Sequence, residues 1–178
     1  VTLFGSQGIG ALKGSLNARV LYNAKDAEMI QNGEQMPFKT RALNLTAGLT
    51  TSLIPTVDVD YHLTWMRNTM KMQRLGSSST INSWKHEAKV HIPIVKLLSL
   101  ETLAEYYHNQ LSADRFKDIF FADASLKLQL RRFDITLVLN NLLNRKTYAY
   151  ALNSDLMRST SSLLISGREL MINIYYKL

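Results

Sequence analysis

The chain has no cysteine, which excludes disulfides and any zinc or redox site built on thiolates. It has no apolar run near the roughly 18 residues that a membrane helix needs. That excludes helical spans only, because a β-strand crosses a bilayer in about 9–11 residues of alternating polarity. Catalytic motifs are missing as well. There is no Gly-x-Ser-x-Gly, no phosphate loop and no His-x-x-x-His pair among His62, His86, His91 and His108. The sequence therefore points to no enzyme, no cofactor and no metal. Charge is lopsided, with 21 Lys+Arg against 14 Asp+Glu and a formal net charge of +7. Yet the basic residues are scattered, and without a basic run or a recognition motif they do not point to nucleic acid. The chain opens on Val1 without an initiator Met or a basic-then-apolar leader, and so reads as a processed chain or as a piece of a longer one.

What is present is a rhythm. β-type segments with every second residue apolar are joined alternately by short turns and long polar stretches. The first runs from about Ala11 to Lys25, with Leu12, Gly14, Leu16, Ala18, Val20 and Tyr22 on one face. A polar stretch from Asp26 to Gln35 follows, with a short helical turn expected over Asp26 to Ile30 and Asn32-Gly33 as a turn signal. The second segment is Pro37 to Leu53, closed by Ile54-Pro55-Thr56. The third, Val57 to Arg67, alternates most strictly: Val57, Val59, Tyr61, Leu63 and Trp65 against Asp58, Asp60, His62 and Thr64. A long polar loop with Gly76-Ser77-Ser78-Ser79 separates it from the fourth, Ile81 to Ile92, which turns near Pro93. Segments follow over Leu98 to His108, Phe120 to Leu130 and Phe133 to Asn141, with a tight turn at Arg131-Arg132. A long loop, Leu142 to Leu163, precedes the last, Ser166 to Leu178. The pattern predicts an all-β, antiparallel, up-and-down transmembrane β-barrel of about eight strands, with short turns on one side and long loops on the other.

Aromatic placement offers an internal test. Tyr22, Trp65, Trp84, Tyr106 and Phe120 all fall on the apolar parity at the ends facing the long loops, and Phe133 and Tyr176 fall on it at the opposite rim. Amphipathic rings sit at the headgroup level of a membrane, so these seven are the expected girdle. Asp58, Asp60, Glu87, Glu101, Glu105 and Asp123, with Lys85, Lys89 and Lys127, occupy the other parity and read as a solvated, mutually paired lining of a polar interior.

The C-terminal third is more specific. The stretch from Phe133 to Leu156, with Asn140-Asn141-Leu142-Leu143-Asn144-Arg145-Lys146-Thr147-Tyr148, followed by Gly167-Arg168 and the closing Tyr176-Lys177-Leu178, resembles the ending of TonB-dependent outer-membrane receptors. Leu143 stands where that family usually has Phe, and Leu178 where it commonly ends in Phe. Arg115 to Leu130 and Ala11 to Asn23 resemble barrel hairpins of a receptor-like branch. The resemblance implies that residues 1–178 are the C-terminal, roughly eight-stranded part of a barrel of about 22 strands, located in the bacterial outer membrane. It also implies an N-terminal plug and the remaining strands on a parent chain, and an energy-coupling TonB complex reached through that absent N-terminal part. Gly167, Leu170, Ile172, Ile174, Tyr176 and Leu178 would form the signal read by the barrel-assembly machinery. The piece would be barrel wall, in contact with outer-membrane lipid, of a receptor that takes up a scarce solute. Two alternatives stay open: a self-contained eight-stranded barrel with a structural or adhesive role, and a soluble β-sandwich binding module in which the Val57–Trp65 face is buried against a second sheet.

Overall fold

The computed structural model describes residues 1–10, 13–31, 33–54, 56–72, 76–112, 114–153 and 158–177. Leu12 of the first face, Asn32 and Pro55 of the expected turns, and Leu178 of the expected assembly signal lie outside them. The described residues form eleven strands: β1 Thr2–Ile9, β2 Gly14–Gln31, β3 Glu34–Ile54, β4 Val57–Met72, β5 Ser77–Val95, β6 Leu98–Ser112, β7 Arg115–Gln129, β8 Phe133–Asn140, β9 Thr147–Asn153, β10 Arg158–Leu164 and β11 Glu169–Tyr176. Nine of them make one antiparallel sheet in the order β1-β2-β3-β4-β5-β6-β7-β8-β11, and β9 and β10 pair separately. No helix among the described residues is long and apolar enough to cross a membrane.

The expected all-β antiparallel class is what the structure has. Closure into a barrel is not seen: β1 and β11 are the two ends of the sheet and each pairs on one side only.

Five local expectations need correction. The helical turn over Asp26 to Ile30 is strand, because β2 continues to Gln31. The polar loops after Lys25, Arg67 and His108 are mostly strand too: β2 is 18 residues long, β3 21, β4 16 and β5 19. Ser77, Ser78 and Ser79 thus belong to β5, and among the described residues before it Gly76, at φ 59°, turns. Alternation betrays a strand only where its two faces meet different surroundings. Beyond the apolar band the faces change character, with charges such as Asp26, Arg67 and Lys71 on the parity of Trp65 and apolar Phe38, Met70 and Ile81 on the other, so the alternation loses its phase although the strand continues. Pro93 sits inside β5 opposite Ser99, next to an irregularity between Pro93 and Val95 that tolerates its missing N–H, and the turn itself is at Lys96 and Leu97. The loop from Leu142 to Leu163 holds the β9–β10 hairpin, and β1 adds a strand before the first expected one.

The registers join the parities of all nine strands into two continuous faces. On the apolar face, Val20 lies opposite Leu45, Leu45 opposite Trp65, Trp65 opposite Trp84, and Leu126 lies between Leu100 and Leu137. The other face carries Asn17, Gly48 and His62 in one row and Lys85 and Tyr107 in another. Buried apolar side chains among the described residues, namely Phe38, Met70, Ile81, Leu111 and Ile119, all belong to the polar-face parity toward the long-hairpin end. There β9 packs across β4 to β7 as a second layer.

Near the short-turn end, β2 and β3 approach closely at Gly14. A Cβ there would fall on the Thr50 carbonyl oxygen, with Thr51 Cα at 2.9 Å. Both are backbone atoms and cannot rotate away. Gly14→Ala is therefore expected to cost about 1–3 kcal/mol, read as a lower denaturant midpoint at unchanged slope. An unchanged midpoint would mean that the two strands are looser there than the geometry requires.

Candidate functional site

The registers place Tyr22, Trp65, Trp84, Tyr106, Phe120, Phe133 and Tyr176 on the one apolar face. Several meet directly: Trp65 and Trp84 are opposite each other with ring centroids 5.7 Å apart, Phe133 and Tyr176 likewise at 5.2 Å, and Tyr106 is opposite Phe120. Cross-strand aromatic pairs of this kind stabilise a sheet locally. Tyr22, Trp84, Phe120, Phe133 and Tyr176 remain exposed.

The row does not follow the hydrogen-bond register. Tyr22 is level with Leu43 and, through it, with Arg67, two positions beyond Trp65. Trp84 is level with His108, two positions beyond Tyr106. Each step goes toward the short turns. A belt held level on strands tilted by about 40° slips by roughly one residue per strand; this row slips by two positions between β2 and β4 and by two between β5 and β6, and stays in register from β4 to β5 and from β6 to β7. Between the row and the short turns β2, β4 and β6 run for nine residues, β7 for ten and β5 for twelve, close to the about 9–11 residues with which a tilted strand crosses a bilayer.

Sequence reasoning missed a polar ladder within this face. His86 shares the parity of Trp84. Its Nδ1 lies 2.7 Å from the Tyr61 hydroxyl, and its ring is 5.7 Å from that of Tyr106. Beyond the row, His108 Nδ1 contacts Asp118 Oδ1, and the Tyr106 hydroxyl donates to the same carboxylate at 3.0 Å. The His108 bond is the first reason that the Asp118 carboxyl is held below its ordinary range. Farther out, Arg41 donates to Asp26, which lowers the Asp26 carboxyl and raises the Arg41 guanidinium, and Lys39 stands 3.4 Å from Asp26.

The polar face is a network. Lys85 Nζ donates to Glu87 at 2.6 Å and contacts Glu105 at 2.7 Å, over the ring of Tyr107 at 5.4 Å, while the Tyr107 hydroxyl donates to Glu105 at 3.1 Å. His91 stands 3.3 Å from Glu101, and Ser52 donates to Asp58 at 2.6 Å. The expected mutual pairing is therefore present for Lys85 with Glu87 and Glu105, and Glu101 and Asp58 also have partners. Among the described residues no cluster of His, Asp and Glu could hold a metal ion.

The hairpin is anchored on this face by Tyr148. Its ring is 5.2 Å from Tyr107, 5.6 Å from Tyr150 and 6.4 Å from Phe121, and Asn109 Nδ2 donates to the Tyr148 hydroxyl at 3.3 Å and to the Ala149 carbonyl at 3.1 Å. A segment that reads as a surface loop thus lies over the polar face.

The two C-terminal motifs meet at the hairpin's root. Asn141, in the left-handed region at φ 51°, donates through Nδ2 to the carbonyls of Arg145 at 2.7 Å and Ser166 at 2.8 Å and accepts the Arg145 N–H at 2.8 Å. Its own N–H donates to Asp123 at 2.6 Å. Asn144 Oδ1 accepts the Arg168 N–H at 3.1 Å, and the Arg168 guanidinium donates to the Leu142 carbonyl. A Cβ on Gly167 would stand 2.9 Å from Asn144 Oδ1. Gly167 therefore belongs to this junction, ahead of β11. Leu170, Ile172 and Ile174 continue along β11 opposite Leu139, Leu137 and Ile135, exposed like the Tyr176 that ends the strand.

Comparison with protein-family models, with curated proteins and with solved structures gives no match.

Proposed function

We propose that this chain is a stretch of wall of a bacterial outer-membrane β-barrel of the TonB-dependent receptor type. Its apolar face meets lipid, and its polar face lines the lumen through which a scarce solute enters. The observation that carries the membrane reading is the aromatic row, which slips against the register as a level belt on tilted strands must. The receptor type rests on the resemblance of the Asn140–Tyr148 and Gly167–Tyr176 stretches. On this reading the edges β1 and β11 pair with the remaining strands of a parent chain, since an open edge in lipid leaves a row of costly unpaired N–H and C=O groups. A plug and an energy-coupling TonB complex act through that parent chain, and the β11 side chains engage the barrel-assembly machinery. The hairpin folded over the polar face narrows the passage, and its tyrosines and the Lys85–Glu87–Glu105 network offer hydrogen bonds to a polar solute. The role is binding and gating, without catalysis.

The β-sandwich reading fares worse on a specific point. It needs the Val57–Trp65 face covered by a second sheet, whereas β9–β10 covers the opposite face through Tyr107 and Phe121.

Topology tests the proposal, and the absence of native cysteine makes the labelling clean. A cysteine replacing Ser78, beside the β4–β5 turn, is expected to react with a membrane-impermeant maleimide on intact cells. One replacing Lys96, in the β5–β6 turn, should react only after permeabilisation. The opposite pattern, or equal labelling of both in a soluble fraction, would reject it.

A further inference from the structure

Just beyond the aromatic row the outward face changes character. Lys39 on β3 lies directly opposite Lys71 on β4, and Arg41 and Arg67 lie on the same two strands, opposite Thr69 and Leu43. All four share the face of Leu43 and Trp65. Directly opposed side chains in a sheet have Cβ atoms about 5 Å apart, and like charges there destabilise the pair. Asp26 answers Arg41 and Lys39, and Glu28 follows on the same face opposite Pro37. Arg67 and Lys71 are exposed, and among the described residues neither has an acidic partner. Positive charge is thus concentrated where a level membrane would place lipid headgroups, on the rim of a protein whose other charges are dispersed.

Immediately on the membrane side of this cluster is a groove of about 340 Å³, floored by Ala18 and Ala47 and walled by Leu45, Leu63, Trp65 and Trp84. The two alanines leave room between bulkier neighbours. A cationic rim above an apolar groove has the polarity of one amphipathic molecule.

We propose that this face holds an anionic lipid of the outer leaflet, with its phosphate on Arg41, Arg67, Lys39 and Lys71 and an acyl chain in the Ala18–Ala47 groove. The inference rests on the membrane-barrel reading above. Guanidinium groups suit phosphate because they bind two of its oxygens at once. A bound phosphate also relieves the Lys39–Lys71 repulsion, which no acid on β4 does.

The chain's two tryptophans both line the groove, so their fluorescence reports on it alone. The full 178-residue chain would be reconstituted in phosphatidylcholine vesicles carrying a minor fraction of acyl-brominated lipid, either phosphatidic acid or phosphatidylcholine. Brominated phosphatidic acid is expected to quench several-fold more efficiently. The double variant R67Q/K71Q should lose that preference, and K96Q in the opposite turn should keep it. Equal quenching by both lipids, or a preference that survives R67Q/K71Q, would overturn the lipid site while leaving the membrane reading intact. Relief of quenching by added inorganic phosphate would reassign the cluster to a free anion and overturn it too. Quenching by neither lipid would overturn the lipid site, while the membrane reading is tested separately by the cysteine labelling.

Discussion

Replacing Asn141 by alanine is expected to destabilise the chain by about 3–5 kcal/mol. The side chain makes three hydrogen bonds, two donated to the carbonyls of Arg145 and Ser166 and one accepted from the Arg145 N–H. The residue is only 9% exposed, so water cannot replace these partners without opening the junction. Each bond contributes about 1 kcal/mol net. Alanine also carries a penalty of about 1–2 kcal/mol in the left-handed region that asparagine tolerates, and Asn141 holds φ 51°. The Asn141→Gly variant separates the two causes. Glycine loses the same three bonds without the backbone strain, so it should be less destabilised by about 1 kcal/mol. Equilibrium unfolding in denaturant, with the slope checked for constancy, reads both. A loss under about 1 kcal/mol for the alanine variant would mean that the junction does not depend on this side chain.

The consequence reaches the polar face. Asn141 ties the end of β8 to the entry of β9 at Arg145 and to the approach of β11 at Ser166, while its N–H is held by Asp123 on β7. Loosening it frees the root of the hairpin whose Tyr148 sits on Tyr107. On the proposed reading the variant therefore also widens the passage.

Legibility in the sequence tracks the asymmetry between the two faces. From Val57 to Trp65 one side is apolar and the other polar, and the strand, its parity and its aromatic end can be read directly. From Asp26 to Gln31 the apolar residues Ala27 and Met29 change parity and the charges Asp26 and Glu28 take over the face of Tyr22, so the same β2 reads as loop or helical turn. β1 is interrupted by Gly5 and Gly8 and by polar residues on both parities, so its pairing with β2 emerges only from the register. Longer-range contacts had no local signal. Tyr148 meets residues 39 and 40 positions away through Asn109, and Lys85 meets Glu105 across a turn. Asn141 and Gly167 could be singled out as motif residues, but not as partners in one junction. His86 had the parity of Trp84 in plain view. What made it part of a ladder was Tyr61 opposite Leu49 and Ala88, one register step away.

The apolar face itself can be tested by two neighbouring substitutions on β7. Ala124 lies on that face between Thr102 and Leu139, and Ser125 lies on the other between Glu101 and Val138. Both positions are on the same strand at nearly the same height, and both receive the same residue. Ala124 is about 10 Å below the level of Phe120 along a tilted strand, close to the middle of a 25 Å band. In bilayers Ala124→Arg is expected to cost about 2–4 kcal/mol, the penalty for a cation at mid-depth on the lipid face of a barrel. Ser125→Arg places its guanidinium across from Glu101 in a wetted lining and should stay within about 0.5 kcal/mol of the parent. Refolding into vesicles against denaturant measures both. The contrast should shrink when the vesicles are replaced by a short-chain detergent, because a thin micelle lets water reach the arginine. Equal, small costs at 124 and 125 would mean that water reaches both faces, and the lipid would drop out of the account. A large cost at 124 that is the same in thick bilayer and in detergent would mean that protein, not lipid, covers the face.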